Sequence, residues 1–472
     1  MDRRVEPTRS LSDLFALTAS GGGDFQESLE IILEFAARAT GADGGGTLYV
    51  ADRAAVELLP MKARPLRTRG EMKELAGKGE PQPFFRDTHS LLREPIRDRD
   101  TIGFVQMESM RANAFSAADA RGLREVAEIA GLVVSRLLLR DHAAGRGFDV
   151  ALVGSSPKLL EMERQIKVAA SDPKSPVIIL GERGSGKEVA AFAVHYYSRR
   201  RAMPFVPINS AAFADSLLPD ELFGHERHSF TGADSKREGL LKSADGGTLF
   251  LDEVGDMSQP VQASLLRVLD QGEIRPVGSD KAMKIDVRVI VATNRNLPKM
   301  VKEGTFRADL YDRLNVFRVD VPPLRDRKDD IHLLAGHFLK KVCVSNGRHD
   351  RRDLVAPCVS CLHMTGAACA RPDFYQQLSE YHFPGNVREL RNLVTRISAA
   401  VSNEEFRAEH ARTAIGSDTQ GGEAPDDMEL DAVVRQHINK VLRLTGHNKS
   451  HAARLLGLPL TTLVHKMKKL GL

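Results

Sequence analysis

The segment from Gly181 to Glu188 has the residue types and spacing of a loop that binds phosphate groups. It follows an apolar run at 177–180 that is typical of a buried strand. Glycines let backbone N–H groups turn inward around phosphate oxygens, and Lys187 adds a positive charge. A helix after the loop would direct the positive end of its dipole at the same phosphates. The predicted nucleotide-binding residues are Gly181, Glu182, Arg183, Gly184, Ser185, Gly186, Lys187 and Glu188.

Two adjacent carboxylates, Asp252 and Glu253, end a second apolar run. Paired acids at the carboxyl end of a buried strand need a cation, as in a magnesium site beside a nucleotide. We expect Asp252 to hold Mg²⁺, directly or through water, and Glu253 to polarise the attacking water. A third run at 287–292 delivers Thr293 and Asn294, whose polar side chains are suited to sensing the γ-phosphate.

Arg307 and Arg313 lie close together in a mixed polar segment. The simplest interpretation is that both form ion pairs on the surface. The alternative is chemical, because phosphoryl transfer spreads negative charge that an arginine from a neighbouring subunit can neutralise. The second interpretation requires a homo-oligomer with nucleotide between its subunits.

The elements that would position these groups follow from the alternation of strand and helix patterns after residue 150, which predicts a parallel α/β sheet. Polar and turn-forming residues around 416–428 predict a flexible linker. The chain is therefore expected to be a multidomain α/β protein. Its predicted parts are a leader at 1–23, an α+β domain at 24–145, the core at 150–320, its continuation at 321–405, a linker at 406–428 and a helical domain at 429–472.

The core from about 152 to 402 resembles the AAA+ ATPase domain of sigma-54-dependent transcriptional activators, the bacterial enhancer-binding proteins. Glu188 after the Walker A lysine is usual for this family, the acid pair matches Walker B, and 383–390 matches the motif of a helical lid. The resemblance implies ATP with Mg²⁺, and a ring, a hexamer, as the assembly. It also assigns Asn209 as a switch coupled to the Walker B glutamate, and Thr293 with Asn294 as the first sensor. Arg307 and Arg313 would be the two arginines that act in trans, and Arg388 would be the second sensor.

The resemblance extends to the segment 228–233, which places an aromatic residue in a tip inserted within the core. In the family this loop remodels sigma-54 RNA polymerase, which assigns the sigma-54 contact to Phe230, Thr231, Gly232 and Ala233. The family loop begins with glycine, and His228 here removes a residue that adopts positive φ freely. The rival hypothesis is a DNA-binding regulator with nucleotide-controlled oligomerisation that no longer activates sigma-54.

All four cysteines lie in an irregular stretch of the expected lid, at Cys343, Cys358, Cys361 and Cys369. The C-x-x-C pair has the local spacing of a metal site. The remaining spacings match no zinc pattern, and free cysteine is commonly a small buried hydrophobe. A metal or redox site and ordinary packing therefore both stay open.

The last 44 residues read as three helices, with Leu463, Met467 and Leu470 facing inward on the third. They carry eight Lys or Arg against two acids, a net charge of +6, whereas the remainder of the chain has −2. A basic helical module is typical of nucleic-acid binding, although a plain three-helix bundle is the alternative. The segment resembles the Fis-type helix-turn-helix of the same activators, which implies double-stranded DNA as a partner. The predicted contacts are Lys449, Ser450, Thr461, Thr462, His465 and Lys466.

Residues 24–145 resemble a GAF-type sensor domain, with a helical pattern at 25–39, strands at 47–50 and 102–107, and an amphipathic helix at 117–140. No ligand motif accompanies the resemblance, so the implied effector is unknown.

The composition bounds the class of protein. Four cysteines in 472 residues argue against a disulfide framework, and no apolar run approaches the ~18 residues of a membrane span. We expect a cytoplasmic regulator without a membrane partner. It would bind upstream DNA and use ATP hydrolysis to remodel sigma-54 RNA polymerase for promoter opening.

Overall fold

The structure is a computed structural model. It describes residues 25–42, 45–50, 54–58, 90–98, 101–215, 217–227, 235–279, 281–345, 370–401 and 406–419, together with 449, 463 and 467. None of the helices in these parts is long and apolar enough to cross a membrane.

The N-terminal part is an antiparallel sheet with the strand order β2-β1-β4-β3 and two helices. Apolar residues of both helices share one core with the strands, which explains why the predicted helical and strand patterns formed here. Ser116 caps the long second helix through a capping box with Asp119. The elements are α1 (Phe25–Thr40), β1 (Gly45–Val50), β2 (Ala54–Leu58), β3 (Ser90–Arg97), β4 (Thr101–Ser109) and α2 (Ala117–Ala144).

The central part is a parallel sheet, as the alternating sequence pattern predicts. Its described strands have the order β13-β5-β12-β9-β6. The strands are β5 (Val177–Leu180), β6 (Phe205–Asn209), β9 (Thr248–Asp252), β12 (Arg288–Thr293) and β13 (Phe317–Asp320). Two apolar clusters cover the faces of the sheet, so the three central strands β5, β12 and β9 are almost continuously buried. The helices around it are α3 (Pro157–Ser171), α4 (Lys187–Tyr196), α5 (Leu218–Phe223), α6 (Leu240–Ser243), α7 (Gln259–Gln271), α8 (Leu297–Lys302) and α9 (Ala308–Leu314).

Two short strand pairs are inserted in this core. The first, β7 (Gly224–His225) with β8 (Arg237–Glu238), forms the base of the segment that contains 228–233. The second is β10 (Glu273–Ile274) with β11 (Met283–Lys284).

Helices follow the sheet, as expected of a lid. They are α10 (Ile331–Ser345), α11 (Pro372–Glu380), α12 (Asn386–Ala400) and α13 (Ala408–Thr419). The prediction of a flexible linker over 406–428 is wrong for its first part, because 408–419 is helical. Alanine, glutamate and arginine in that segment favour a helix. In addition, Phe406 is buried and bridges to Ala370.

The C-terminal part forms a second compact unit from Ala411 to Leu472. Leu463 and Met467 are both buried there, as their predicted inward positions require, whereas Lys449 is exposed. Leu470, the third residue predicted to face inward, lies outside the described residues. So do the predicted DNA contacts other than Lys449.

Candidate nucleotide-binding site

The phosphate loop connects the end of β5 to the start of α4. Two of its glycines have positive φ, +72° at Gly184 and +109° at Gly186, and the helix begins directly after Gly186. A side chain at Gly184 would place its Cβ 2.3 Å from the carbonyl oxygen of Gly385 and 3.0 Å from Cβ of Arg388. Both the turn itself and the close approach of the lid therefore require glycine at this position.

Lys187 occupies the space between the loop and the acid pair. Its Nζ lies 3.3 Å from the carbonyl oxygen of Gly181 and 3.4 Å from Oε1 of Glu253, and the side chain is only 6% exposed. Both contacts are long for hydrogen bonds of a charged donor. A phosphate group entering the loop can therefore replace them with shorter, stronger contacts.

The polar ends of three neighbouring strands meet beside this lysine. Asn209 on β6 is in register with Asp252 on β9, and Thr293 ends β12 on the other side. The backbone N–H of Glu253 donates to Oδ1 of Asp252 at 3.0 Å, and the N–H of Asn294 donates to Oε2 of Glu253 at 3.4 Å. This is the edge at which parallel α/β sheets bind ligands.

Glu253 has a strained backbone. Its φ of 55° and ψ of 47° lie in the left-handed region, which costs about 1 kcal/mol for a residue with a side chain. The turn ends the strand and begins a 3-10 helix at Val254–Asp256. Strain of this kind is concentrated at functional sites, and here it accompanies contact of the carboxylate with Lys187.

Asp252 fits the role of a cation ligand. Burial raises the pKa of Asp252, Lys187 opposes the rise and the neighbouring Glu253 adds to it. A carboxylate in this environment is stabilised by a cation, and Mg²⁺ in nucleotide sites uses one or two carboxylates together with phosphate oxygens. No group of three or more His, Cys, Asp or Glu side chains that could form an all-protein metal cage occurs in the described ranges.

We expect Asp252→Asn to raise the unfolding temperature in the absence of Mg²⁺ and nucleotide, because it removes a charge that burial disfavours. The folded pKa lies above the unfolded value of about 3.9. The penalty is therefore full above the folded pKa and disappears as the pH falls below the unfolded one. Scanning calorimetry should show the difference between variant and parent shrinking from neutral to acidic pH.

The exposed Asp312 provides the control, since Asp312→Asn should change little. With Mg²⁺ and ATP present, the parent should have a higher unfolding temperature than Asp252→Asn, because only the parent binds the ion tightly. If, without Mg²⁺ and nucleotide, Asp252→Asn unfolds at a lower temperature than the parent at neutral pH, this account of Asp252 is wrong.

The start of the lid is tied to the phosphate loop by polar contacts. Arg325 donates two hydrogen bonds to the carboxylate of Glu182, at 2.8 and 2.6 Å. Nδ2 of the fully buried Asn386 donates to the same carboxylate and to the carbonyl oxygen of Arg183, both at 3.1 Å. Arg325 and then Asn386 lower the pKa of Glu182 to about 2. The backbone N–H of Arg388 donates to the carbonyl oxygen of Gly184 at 3.3 Å.

Comparison with known proteins identifies the parts. Residues 152–320 match the Sigma-54 interaction domain, 325–427 the AAA+ ATPase lid domain, and 430–470 the Fis family of bacterial regulatory proteins. Transcriptional regulatory protein ZraR of Escherichia coli K12 is 40% identical over 319 residues, 67% of this chain and 68% of ZraR. The chain belongs to the sigma-54-dependent transcriptional activators. It is an AAA+ ATPase, and ATP-driven activation is the function of this family.

Other similar proteins cover more of the chain. Response regulator protein PilR of Pseudomonas aeruginosa is 36% identical over 379 residues, 78% of this chain and 80% of PilR. The crystal structure of NtrX from Brucella abortus in complex with ATP is 31% identical with a TM-score of 0.50, covering 77% of this chain and 78% of NtrX. Its complex with ADP is 29% identical with a TM-score of 0.51, covering 75% and 80%.

In this sigma-54 activator the residues predicted to act as sensor and switch have local partners. Oγ1 of the buried Thr293 accepts from the N–H of Arg295 at 3.0 Å. Oδ1 of Asn209 accepts from the N–H of Ala211 at 2.9 Å. The described hydrogen bonds do not join Asn209 to Glu253, so the coupling implied by the resemblance stays a prediction.

The two arginines predicted to act in trans form ion pairs within their own chain. Arg307 donates to Asp309 at 3.0 and 2.7 Å, and Nε of Arg313 lies 2.9 Å from Oδ1 of Asp270. Both side chains remain substantially exposed, at 40% and 53%. The structure therefore places neither arginine against its own phosphate loop in a described contact, and both remain accessible from outside.

Three predicted groups lie outside the described residues: the sigma-54 contact at 230–233 with His228, the side chains of the four cysteines, and most of the DNA contacts. No sequence pattern predicted that Arg325 and Asn386 hold the loop, or that Arg327 does so by donating from Nη2 to the carbonyl oxygen of Ser185. Asn386 stands within the recognised lid motif and has a φ of 54°, unusual for a residue with a side chain. The two arginines had no local signal.

Proposed function

We propose that the protein binds DNA upstream of promoters, assembles into a ring, a hexamer, and uses hydrolysis of Mg²⁺-bound ATP to remodel sigma-54 RNA polymerase. The observation that carries the proposal is the convergence of Lys187, Asp252 and Glu253 beneath a lid that contacts the phosphate loop. In this proposal Asp252 holds the ion, Glu253 polarises water, and Thr293 with Asn294 senses the γ-phosphate. Arg388 is the second sensor.

Contacts between α5 and the base of the proposed sigma-54 loop support this function. Asn209 caps the 3-10 helix at Ser210–Ala212, and α5 follows a few residues later. The base of the loop is then tied to α5, because Arg237 donates to Glu221 at 2.7 and 2.9 Å and His225 is hydrogen-bonded to Asp220. Nε2 of His225 also bonds the carbonyl oxygen of Ser235 at 2.8 Å. In this proposal, a shift of Asn209 on ATP hydrolysis is passed along the chain to α5 and moves the loop base with it.

The assembly follows from the same chemistry. Arg307 and Arg313 would leave their exposed ion pairs and enter the ATP site of the next subunit, which requires a ring. The sheet at 24–145 would act as a GAF-like domain for an unknown effector, and 429–472 would read DNA through a helix in the major groove. These partners place the protein in the cytoplasm.

The decisive test is promoter opening on a linear template that carries a sigma-54 promoter, with and without ATP. We expect Thr231→Ala to disable opening and to leave ATP hydrolysis largely unchanged, since in this proposal Thr231 contacts sigma-54 and is not one of the nucleotide-binding residues. Thr395→Ala, an exposed threonine on the lid helix α12, is the matched control and should keep both activities.

His228→Gly distinguishes the rival hypothesis. We expect it to keep or raise promoter opening, because glycine removes a backbone restriction of about 1 kcal/mol at the loop. Under the rival hypothesis, the chain binds DNA and oligomerises without activating sigma-54. The parent and both variants would then fail to open the sigma-54 promoter. A parent that opens the promoter and is indifferent to Thr231→Ala would overturn the assignment of the loop.

A further inference from the structure

A buried ion pair joins the N-terminal part of the chain to the ATPase core. This part, the elements from α1 to α2, is called the N-terminal unit. Arg136 on α2 donates to both carboxylate oxygens of Glu163 on α3, from Nε at 2.6 Å and from Nη2 at 2.9 Å. The two residues are 5% and 3% exposed. An isolated charge is expensive at such burial, so the pair holds the helices together only while both partners are in place.

The same guanidinium reaches the segment that leads into the core. Nη1 of Arg136 donates to the carbonyl oxygen of Gly154 at 2.6 Å. Gly154 has a φ of +136°, and a Cβ there would lie 2.4–2.7 Å from the carboxyl atoms of Asp330. The backbone at 154 is therefore fixed on one side by Arg136 and closely covered on the other by Asp330.

Asp330 binds the next two residues of that segment. Its carboxylate accepts from the N–H of Ser155 at 2.6 Å, from the N–H of Ser156 at 2.8 Å and from Oγ of Ser156 at 2.6 Å. Asp330 is fully buried, and three hydrogen bonds satisfy its charge. Any displacement of 154–156 is consequently transmitted to the start of the lid.

The start of the lid then contacts the phosphate loop. Asp330 ends a 3-10 helix, and its N–H donates to the carbonyl oxygen of Arg327 at 2.9 Å. Nη2 of Arg327 donates to the carbonyl oxygen of Ser185 at 3.0 Å. Because a trans peptide unit points its C=O and its N–H in opposite directions, this contact fixes the direction of the Gly186 N–H within the phosphate loop.

We propose that Arg136 is a positioning residue for ATP binding, and that it acts through Gly154, Asp330 and Arg327 on the peptide between Ser185 and Gly186. The contact of Arg136 with the carbonyl oxygen of Gly154 then sets the affinity of the ATP site. By thermodynamic linkage, bound ATP strengthens that contact by the same factor. The proposal rests on ATP binding at this loop, and it needs neither the ring nor the sigma-54 contact.

The test compares two ways of disrupting the ion pair in the full-length chain. Glu163→Gln removes the charge on α3 but keeps the Arg136 donor to Gly154. The double variant Arg136→Met with Glu163→Gln also removes that donor and leaves no buried charge unpaired. We expect titration with a fluorescent ATP analogue to show about fivefold weaker binding for the double variant, the low end of measured coupling between sites. Glu163→Gln should change ATP binding less, because the amide oxygen of Gln still accepts from Arg136 and the donor to Gly154 is kept. The cost of the unpaired buried charge should appear as a lower unfolding temperature.

A second contact between the same units provides the control. Nζ of Lys167 on α3 lies 2.6 Å from Oδ1 of Asp98, which follows β3. This pair has no described link to the phosphate loop, so Lys167→Met should weaken docking and leave ATP affinity unchanged. An equal loss of affinity in Lys167→Met would show that docking in general is responsible and would overturn the proposed route.

A double-mutant cycle tests the route itself. In an Arg327→Met background the change at Arg136 should have no further effect on affinity, and additive effects would contradict the proposal.

Turnover at saturating ATP should stay near the parental rate for the Arg136 double variant, which separates positioning from general damage. If that variant does not fold, Arg136→Lys can replace it. Lysine keeps the charge but cannot make all three hydrogen bonds of the guanidinium, so its affinity for ATP should be intermediate. A parent without ATPase activity would refute the proposed function. A parent that hydrolyses ATP, together with variants whose affinity for the ATP analogue is unchanged, would refute only this inference.

Discussion

Glu253→Gln is expected to bind ATP as well as the parent and to hydrolyse it at least about a hundredfold more slowly, the scale of a lost general base. The amide cannot accept a proton from the attacking water. Binding should persist, or tighten, because Lys187 loses its ion-pair partner at 3.4 Å and becomes available to phosphate. Phosphate release measures turnover, and titration with a fluorescent nucleotide measures binding.

Glu34→Gln is the matched control for Glu253, since it makes the same chemical change in an exposed glutamate that pairs with Arg38 on the N-terminal helix α1. It should leave turnover unchanged. Turnover of Glu253→Gln near the parental rate would show that another group positions the water. Loss of nucleotide binding would instead indicate that the strained backbone at 253 depends on the carboxylate.

Arg313→Ala should reduce ATP turnover by about a thousandfold or more, as expected when an arginine that neutralises the transition state is lost. Nucleotide binding should be spared, because within its own chain Arg313 contacts Asp270 and lies on the surface. Lys187→Ala should also be inactive, but through loss of phosphate binding.

Mixing the two inactive variants tests whether Arg313 acts across subunits. In randomly mixed rings roughly one interface in four joins an intact Lys187 to an intact Arg313, so a corresponding share of activity should return. Asp270→Ala is the control, since it removes the surface partner of Arg313 and should leave turnover near that of the parent. Inactive mixtures with intact rings would argue against action in trans.

The sequence was informative about the ATP site because its key groups depend on local patterns. Glycines, Lys187 and the acid pair each follow a buried strand, and parallel strands bring their carboxyl ends to one edge. The prediction of a parallel sheet thus already placed Lys187 near Asp252. The same reasoning failed at 408–419, where polar residues predicted a linker and a helix formed instead.

Local pattern could not distinguish the two interpretations of Arg307 and Arg313. Within one chain both form surface ion pairs, which the simpler interpretation predicts. Their exposure also meets the requirement of the second interpretation. The answer depends on the position of a neighbouring subunit, and the mixing experiment addresses it directly.

By itself, then, the sequence was enough to predict the phosphate loop and the acid pair, since each is encoded within a short run of residues. It also gave the order of the three parts that match known families. Only the tertiary structure decided what holds the loop in place. Glu182 and Arg325 are 143 residues apart, and Ser155 and Asp330 are 175 apart. Both pairs join the core to the start of the lid, so they require these two parts to be packed together. Their geometry is therefore set by the packing of apolar faces, which no local motif specifies.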